Sequence, residues 1–525
     1  MQGTIKVKKT KKVDARLIAG VLALGIVVVL VAFVVIPWLR EARRPTAPAY
    51  WPTAGWQSST PEAQGIDSAL LADALLAWRQ QNVQIHSLQI VRNGYMVADA
   101  TFYPYDGQTI HDVASVTKSV MTTLIGIAAD QGKLDLDDKM VSFFPDRTIA
   151  NLDARKEAIT VRHLVSMTSG LQCVRDGMEG DTTLEMHRSP DRVQFALDLP
   201  VAYEPGSQFI YCSAAISLLS PILQQATGMT TLAFAQEYLF EPLGIHDVLW
   251  ETDPQGYYVG HGDLSLHPHD MAKLGLLFLQ EGRWEDRQII SRRWVKEARI
   301  AQSETPSEEN PYGYGWWLTP ELEGVYQAMG RNGQNIYIFP SWNMLLITTG
   351  GGFEIDEIGE SLLEIIGAME ETLPDNPAGV AHLEEAAAAI AQPPAASPVA
   401  PLPDIARTIS GQTYVFESNL LGLESAVFDF DDSAEATGQV KAAGNPTIPL
   451  SIGLDGVYRF RFDEVGRLVA ARGSWTNSQT FVLEYNSVTA NDQLILQFHF
   501  QDNRVEVTVS DAYSGTGPKF EGRLQ

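Results

Sequence analysis

Ser115-Val116-Thr117-Lys118 places a hydroxyl group and an amine three residues apart, where the sequence predicts the first turn of an amphipathic helix. Side chains at this spacing share a helix face and can hydrogen-bond. A serine hydroxyl needs a base to take its proton, and a lysine amine that is partly shielded from water can be that base. The segment therefore predicts a Ser-Lys nucleophilic pair, with a chance Ser-x-x-Lys pattern as the alternative.

The residues on either side of this segment predict the elements that hold it. Before it, residues 87–100 alternate between apolar and polar around Asn93-Gly94, which predicts a β-hairpin. After it, apolar residues recur at helical spacing as far as Gly132, which predicts a long helix with one buried stripe. Ser115 then lies in the first helical turn, where backbone N–H groups lack partners within the helix and can stabilise an oxyanion.

Two later segments add candidate site residues. A Pro-Gly turn at residues 205–206 leads to Tyr211 and Ser213. A tyrosine that faces the Ser-Lys pair can carry a proton to a leaving group, although a tyrosine after a turn is more often structural. Residues 326–339 predict a strand, a glycine-rich turn that begins at Gly330 and a second strand. Glycine here lets the backbone approach a ligand closely, and an ordinary hairpin turn is the alternative.

In this order and spacing, the segments resemble the serine β-lactamase and penicillin-binding-protein superfamily. Within it, the likeness is to the branch of class C β-lactamases, DD-peptidases, carboxylesterases and 6-aminohexanoate-dimer hydrolases. It extends over residues 61–373 and includes the phrases ITVRHLVSMTSGL at 159–171, LFEPLGI at 239–245, HDMAKLG at 269–275 and YGYGWW at 312–317. The resemblance implies an α/β (α+β) domain, in which helices flank an antiparallel sheet formed by the N-terminal hairpin and C-terminal strands, with a large helical insertion between them.

The resemblance also implies roles for individual residues. Ser115 is the acylated nucleophile, Lys118 its base and Tyr211 a second proton carrier. Ser213 takes the third position of a Tyr-x-Asn element, where serine replaces asparagine as it does in the 6-aminohexanoate-dimer hydrolases. His261 takes a position that lines the substrate cleft in those hydrolases. The implied reaction, acyl transfer to serine followed by hydrolysis, needs no cofactor.

The strand motif of the family, Lys-Thr-Gly or His-x-Gly, aligns with Ala328-Met329-Gly330, which contains no cation. Family members that bind β-lactams or peptide C-termini use that cation near the substrate carboxylate, so an ester or a plain amide is the favoured substrate. Arg331 either restores the positive charge or faces solvent. A backbone N–H close to Gly330 or Arg331 is expected to be the second oxyanion donor.

Three of the ten histidines, His261, His267 and His269, lie close together in the sequence. Their spacing fits neither common zinc pattern, so we expect no metal site. His269-Asp270 instead predicts a helix start, with His267 in the preceding loop.

The chain has two cysteines, Cys173 and Cys212, and neither has the spacing of a metal site. Cys173 follows the loop that begins with Ser169-Gly-Leu, and this loop lies near the cleft in the resembled family. Cys212 directly follows Tyr211 in the sequence. A disulfide between them and two buried free thiols are both open alternatives.

Residues 17–39 contain no charged side chain and are long enough to cross a bilayer as a helix. Six Lys or Arg residues precede this run and three follow it closely, which places residues 1–16 in the cytoplasm and the catalytic domain outside it. A cleaved signal peptide is the competing interpretation, but the apolar run is long for one. We expect a retained signal-anchor that crosses the cell membrane once, followed by a linker at 40–60.

Residues 374–406 are rich in proline and alanine and predict a linker that is partly helical. In residues 407–525 the pattern changes to period two, with strands predicted at 426–430, 457–462, 480–485, 494–500 and 505–509. This predicts an all-β barrel or sandwich. It resembles the lipocalin-like domains that follow such hydrolase domains, and it contains no catalytic constellation.

Length and composition limit the remaining function classes. A chain of 525 residues, 45% of them hydrophobic, is long enough for two or more domains with sizeable cores. The net charge of −26 disfavours nucleic acid or anionic lipid as a partner. We expect a small-molecule ester or amide substrate. A DD-peptidase or β-lactamase and an inactive cell-envelope binding protein are the alternatives, and the oligomeric state stays open.

Overall fold

The computed structural model describes residues 47–174, 182–303, 310–419, 421–443, 447–464, 466–490, 492–511 and 515–525. The cytoplasmic tail and the membrane helix that we expect at 1–16 and 17–39 lie outside these ranges. Within them, no helix has both the length and the apolar composition that spanning a membrane requires.

One antiparallel sheet of six strands forms the centre of the N-terminal domain. The hairpin predicted around Asn93-Gly94 is confirmed, and these two residues have the positive φ values, 55° and 87°, that a tight hairpin turn favours. The predicted sheet of N-terminal hairpin plus C-terminal strands is confirmed as well. Across the sheet, the strands follow in the order Tyr95–Thr101, Ile85–Arg92, Met344–Gly350, Gln334–Phe339, Tyr326–Gly330 and Trp317–Leu318.

A large helical insertion separates the hairpin from the other four strands, as the resemblance implied. Its first long helix, Val116–Asp130, begins directly after Ser115. We call it the nucleophile helix, after the role that the sequence predicts for Ser115. We expected one buried stripe, but this was wrong, because every residue from Val116 to Ala128 is buried. Helix Leu219–Thr227 and strand Tyr326–Gly330 both pack against it. Its polar side chains are satisfied locally; the Ser119 hydroxyl, for example, donates to the carbonyl of Gly315.

The rest of the insertion consists of short elements. Among the described residues, its other α-helices are Ala154–Ala158, Val161–Val165, Thr183–Arg188, Arg192–Asp198, Ser213–Ser217, Leu219–Thr227, Thr231–Ala235, Glu241–Leu243, Pro268–Leu279 and Arg292–Ala298. Three short strands pair in the order His111–Asp112, Leu264–Leu266 and Leu249–Trp250, and a two-stranded ribbon joins Arg283–Trp284 to Arg287–Gln288. The strand His111–Asp112 leads directly into the nucleophile turn.

Helices Ser68–Gln80, Asp356–Gly367 and Pro377–Ile390 form a second apolar core with the sheet. Helix Pro377–Ile390 lies within the segment that we predict as a linker. It packs against helix Ser68–Gln80 and buries Ile390 completely. This part of the predicted linker is therefore a packed element of the N-terminal domain.

The C-terminal domain is an all-β barrel, one of the two predicted alternatives. Nine strands form a ring that is completed by a parallel pairing of Gly453 with Arg472. The ring order is Ile448–Gly453, Glu435–Ala442, Leu423–Asp429, Thr413–Phe416, Gly515–Leu524, Arg504–Asp511, Asp492–Gln501, Thr480–Ser487 and Leu468–Trp475. A tenth strand, Arg459–Phe462, pairs with Leu468–Trp475, and helix Asp404–Ile409 precedes the barrel. Aromatic rings such as Phe428, Phe481 and Phe498 fill the interior.

The barrel packs on the N-terminal domain through a small apolar cluster. Tyr105 of the N-terminal domain is buried there together with four barrel residues, Tyr458, Leu468, Ala470 and Val488. Beside the cluster, the hydroxyl of Tyr103 accepts a hydrogen bond from the backbone N–H of Tyr458 at 2.9 Å. Arg467 of the barrel also forms an ion pair with Glu251, with an N–O distance of 3.1 Å.

Candidate active site

Ser115 and Lys118 lie together at the beginning of the nucleophile helix. The Nζ atom of Lys118 donates a hydrogen bond to the Oγ atom of Ser115 at 2.8 Å. The Ser115 hydroxyl makes no capping hydrogen bond to the helix. Ser115 is half-buried, whereas Lys118 is 2% exposed. An amine that is removed from water beside a serine hydroxyl can exchange a proton with it, as a Ser-Lys nucleophile requires.

A tight turn presents Ser115. The backbone N–H of Val116 donates to the carbonyl oxygen of Val113 at 3.1 Å. Between them, Ala114 has a φ of 48°, a left-handed conformation that costs a residue with a Cβ atom about 1–2 kcal/mol. Contacts around the turn must hold Ala114 in this conformation, and such strain is concentrated at functional sites.

Three groups surround the amine of Lys118. Besides the hydroxyl of Ser115, it contacts the carbonyl oxygen of His261, to which it donates a hydrogen bond at 2.8 Å. The third group is the Tyr211 ring, whose centroid lies 4.9 Å from Nζ. The structure therefore brings four sequence-predicted residues together, Ser115, Lys118, Tyr211 and His261.

Tyr211 lies between Lys118 and an aromatic cluster. Its ring stacks on Trp317 with a centroid distance of 5.7 Å and an interplanar angle of 21°. Trp317 also packs against Tyr312 and Phe209, at 4.8 and 5.5 Å. Because Trp317 lies on the edge strand of the six-stranded sheet, the sheet helps to fix the tyrosine ring beside the amine.

The imidazole of His261 belongs to a polar chain. Its Nδ1 atom is 2.6 Å from the Ser217 hydroxyl, and its Nε2 atom is 3.0 Å from Nε2 of His187. Burial lowers the pKa of His261 well below its ordinary value of 6.5, and the charges of Lys118 and His187 act in the same direction. A neutral imidazole has one donor and one acceptor, which matches these two partners. We expected His261 to line the cleft; it is 6% exposed, and its carbonyl is the group that contacts Lys118.

Gly330 ends strand Tyr326–Gly330 directly beside the nucleophile turn. A Cβ atom at this position would lie 2.5 Å from the carbonyl oxygen of Val113 and 3.1 Å from the Cβ atom of Ala114. Only glycine fits at this distance, because real Cβ atoms do not approach a carbonyl oxygen so closely. The strand end and the turn are thus in contact, as two elements that share one oxyanion site must be.

In the strand that ends at Gly330, the position at which the family motif has a cation is occupied by alanine. Ala328, which stands at the cationic position of the family motif, is fully buried in the main apolar core. Arg331 follows Gly330 in the turn Arg331–Gly333 and is exposed.

Ser213 begins helix Ser213–Ser217 and is 5% exposed. The residue between it and Tyr211, Cys212, forms a disulfide with Cys173, and the two Cα atoms are 5.5 Å apart. Cys212 also caps the helix, because its Sγ atom accepts a hydrogen bond from the backbone N–H of Ala215 at 3.2 Å. Of the two open alternatives for the cysteines, the structure contains the disulfide, which ties the segment that carries Tyr211 to the Cys173 loop.

Within the ranges that the structure describes, no group of three or more His, Cys, Asp or Glu side chains is arranged to hold a metal ion. His267 and His269 have carboxylate partners instead, Asp247 at 3.6 Å and Asp99 at 2.8 Å. Helix Pro268–Leu279 begins where His269-Asp270 predicts a helix start.

Sequence reasoning missed His187 and Ser217, and it gave Trp317 no role. His187 lies 74 residues from His261 in the sequence, and Ser217 lies 44 residues from it. No local motif connects positions so far apart. The spacing of Ser213 and Ser217 on one helix was a usable signal, since residues four apart share a face.

The sheet, the helical insertion and the Ser-x-x-Lys turn are those of the serine β-lactamase and penicillin-binding-protein superfamily, so the resemblance predicted from the sequence is confirmed. Residues 73–348, more than half of the 525 residues, match the family model described as Beta-lactamase. The chain belongs to the Beta-lactamase family.

Individual relatives are distant. The 6-aminohexanoate-dimer hydrolase of Paenarthrobacter ureafaciens is 24% identical over 283 residues, which cover 49% of this chain and 70% of the relative. Esterase EstB of Burkholderia gladioli is 25% identical over 176 residues, 31% of this chain and 45% of the relative. A solved structure from Bacillus anthracis, provisionally assigned as a 6-aminohexanoate-dimer hydrolase, covers 62% of this chain and 89% of its own, with a TM-score of 0.50 and 19% identity. This last likeness is one of fold.

Proposed function

We propose that the protein is a membrane-anchored, extracytoplasmic serine hydrolase that cleaves an ester or amide through an acyl-enzyme on Ser115. The contact that carries this proposal is the 2.8 Å hydrogen bond between Lys118 Nζ and Ser115 Oγ, at a lysine that is 2% exposed. A buried lysine in contact with a half-exposed serine at a helix start suits nucleophilic catalysis better than it suits a structural ion pair.

The mechanism follows from the positions of these groups. The Oγ atom of Ser115 attacks the substrate carbonyl carbon while its proton passes to the amine of Lys118. The carbonyl oxygen becomes an oxyanion, for which the backbone N–H of Ser115 and one near Gly330 are the donors. The bond to the leaving group breaks, and the leaving group takes the proton from Lys118, directly or through the Tyr211 hydroxyl. Water then attacks the acyl carbon and gives its proton to the same amine. The bond between the acyl carbon and Ser115 Oγ breaks, the acid leaves, and the amine returns the proton to Oγ.

A neutral acyl substrate fits the site better than one with a carboxylate. Ala328 is buried where the family motif has its cation, and Arg331 is exposed in the adjoining turn. A substrate carboxylate therefore lacks the strand cation that would bind it as a charge-assisted partner. Two of the relatives described above are named as an esterase and a 6-aminohexanoate-dimer hydrolase, and these names are in keeping with ester and linear amide substrates.

The extracytoplasmic, single-pass location rests on separate observations. Residues 17–39 are uncharged, and Lys and Arg are more frequent before this run than after it. The Cys173–Cys212 disulfide is in keeping with an oxidising compartment. The test is fractionation of cells that express the full chain, followed by labelling with an impermeant amine reagent. Recovery in the membrane fraction with labelling on intact cells supports the proposal, and recovery in the cytosol contradicts it.

The activity is tested by turnover and by adduct mapping. The purified chain is assayed on p-nitrophenyl esters, linear p-nitroanilides and β-lactams, and Ser115→Ala is the matched control. Turnover of esters or amides by the wild type alone, together with a phosphonate adduct on Ser115, supports the proposal. An adduct on another serine contradicts it, as does equal turnover by both proteins. Labelling by fluorescent penicillin would favour a DD-peptidase or β-lactamase, and no turnover with any class would favour an inactive binding protein.

A further inference from the structure

Ala114, the residue before the nucleophile, is held in its left-handed conformation by two side chains. A carboxylate oxygen of Asp112 accepts a hydrogen bond from the backbone N–H of Ala114 at 2.8 Å. The hydroxyl of Thr117 donates to the carbonyl oxygen of Ala114 at 2.6 Å. The backbone N–H and the carbonyl oxygen of Ala114 are therefore both fixed by neighbours, which is how a structure maintains a backbone conformation that is unfavourable for alanine.

The barrel contacts Asp112 through a hydrogen bond between backbone atoms. The backbone N–H of Asp112 donates a hydrogen bond to the carbonyl oxygen of Thr489 at 2.6 Å. Thr489 belongs to the segment that follows barrel strand Thr480–Ser487, and it is fully buried. Its own hydroxyl accepts a hydrogen bond from the backbone N–H of Leu468, on a second barrel strand, at 2.9 Å. The carbonyl that holds Asp112 is thus itself held by the barrel.

The surrounding contacts make this connection rigid. Asp112 is the end of strand His111–Asp112, which pairs with Leu264–Leu266. Val113, the next residue, donates its backbone N–H to the carbonyl of Leu264 at 2.8 Å. Val488, which precedes Thr489, is fully buried in the apolar cluster between the domains. Hydrogen bonds therefore connect the barrel to Asp112 and Asp112 to Ala114, the residue that directly precedes Ser115.

We propose that Asp112 is a positioning residue for the nucleophile and that, through Thr489, the C-terminal barrel is part of the catalytic unit. This inference rests on the proposed function. It adds that the C-terminal domain supports the turn that carries Ser115. Asp112 acts through Ala114. Its carboxylate holds the Ala114 N–H, and this keeps the Oγ atom of Ser115 in contact with the amine of Lys118. Loss of that geometry lowers the rate of acylation and leaves substrate binding largely unchanged.

Three variants of the full chain test the role of Asp112. Asp112→Ala removes the acceptor and should lower kcat about tenfold or more, with KM within about threefold of the wild type. Asp112→Asn keeps a carbonyl oxygen as the acceptor and should retain most of kcat. Asp112→Ala combined with Ala114→Gly should regain activity, because glycine adopts the left-handed conformation without help. If Asp112 acted elsewhere than on Ala114, a glycine at position 114 would not restore activity.

The barrel connection is tested by Thr489→Val, which removes the hydroxyl that anchors Thr489 to Leu468 and preserves the shape of the side chain. We expect faster hydrogen exchange in the peptide that covers residues 111–116, together with a lower kcat. The control is Thr476→Val, at an exposed threonine in the turn between strands Leu468–Trp475 and Thr480–Ser487. Thermal unfolding of each variant identifies any that fail to fold. If Asp112→Ala is one of them, it is replaced by Thr117→Val, which removes the hydroxyl that donates to the carbonyl oxygen of Ala114.

The outcomes are distinct. Unchanged kcat in Asp112→Ala overturns the proposal, and so does a loss that Ala114→Gly does not relieve. Unchanged exchange at residues 111–116 in Thr489→Val overturns the part that concerns the barrel. Failure of the proposed function would look different, because the wild type would then neither turn over any substrate nor form an adduct on Ser115.

Discussion

The amine of Lys118 donates a hydrogen bond to a main-chain oxygen, the carbonyl of His261, at 2.8 Å, so this contact does not depend on the side chain at position 261. Lys118→Met should lower kcat by about 10³-fold or more, because the base is lost. His261→Gln keeps the carbonyl, a donor and an acceptor, and should cost less than about tenfold. Steady-state kinetics measure both, with Lys133→Met, at an exposed lysine, as the control. Equal losses in the two variants would contradict this assignment.

Gly330→Ala should reduce both activity and stability. The new Cβ atom would lie 2.5 Å from the carbonyl oxygen of Val113, so either the strand end or the nucleophile turn must shift. We expect a loss of about tenfold or more in kcat, since small displacements at a reacting group are costly. Gly359→Ala is the matched control, because it lies in helix Asp356–Gly367 with nothing within 4 Å of the added Cβ atom. Steady-state kinetics and urea unfolding compare the two variants. Equal kcat and equal stability in both would contradict the predicted clash at Gly330.

Trp317→Ala should lower kcat more than it lowers stability, because the indole is half-buried and stacks on the Tyr211 ring at 5.7 Å. An aromatic pair of this kind contributes about 0.5–1.5 kcal/mol, which corresponds to a decrease of about two- to tenfold if it holds Tyr211 in place. Trp317→Phe keeps a ring at this position and should retain most of the activity. The prediction fails if the phenylalanine variant is as impaired as the alanine variant.

Stability should decrease as the pH falls from about 6.5 to about 4, because burial lowers the pKa of His111 from 6.5 to about 4. In this interval the unfolded chain binds a proton at His111 and the folded chain does not, so protons favour unfolding. The loss at the acidic end is about 3 kcal/mol from this residue. His86, whose Nδ1 atom is 2.9 Å from Nε2 of His111, has its pKa lowered by burial and by His111, and it acts in the same direction.

Urea unfolding between about pH 7.5 and pH 4 measures this dependence. His111→Gln removes the titrating group, and its free energy of unfolding should change less with pH than that of the wild type. The quantity compared is the change in the free energy of unfolding with pH, since the substitution itself can alter stability at neutral pH. An unchanged slope would show that the dependence arises elsewhere.

Reduction of the Cys173–Cys212 disulfide should lower the free energy of unfolding by about 4 kcal/mol, because the two residues are 39 positions apart. A link of this span restricts the unfolded chain. The double variant Cys173→Ala, Cys212→Ser should show the same loss, since the serine hydroxyl can still cap helix Ser213–Ser217 at Ala215. Urea unfolding with and without reductant is the measurement. Equal midpoints for oxidised and reduced wild type would contradict the expected stabilisation.

The elements that could be predicted from the sequence are those with a local cause. Asn93-Gly94 fixes a hairpin by its own backbone preference, and the spacing of Ser115 and Lys118 fixes their contact through helix geometry. The burial of the nucleophile helix was harder to predict. Its threonines and serines look solvent-facing in the sequence, but they donate to carbonyl groups such as that of Gly315, which only the folded chain brings close.

Contacts between distant segments explain what the sequence left out. The pairing of His187 with His261 joins two elements that have no common motif. Helix Pro377–Ile390 lies in a stretch of linker-like composition, and its burial depends on helix Ser68–Gln80, some three hundred residues earlier. In the barrel, burial along strand Glu435–Ala442 alternates with period two. The strand was missed because three of the four residues on its inner face, Ala436, Gly438 and Ala442, are small and give a weak apolar signal.

The way in which the C-terminal domain covers Tyr105 has a practical consequence for anyone who would study the hydrolase domain alone. Val488 of the barrel buries this tyrosine, and its backbone also hydrogen-bonds to His111. A chain shortened at about residue 406 would expose Tyr105 and the apolar surface around it to water, and it would lack the hydrogen bond between the backbone of Val488 and His111. Rates and melting points recorded on such a fragment would describe a molecule that is more prone to aggregate and that lacks the barrel's contacts with His111 and Asp112.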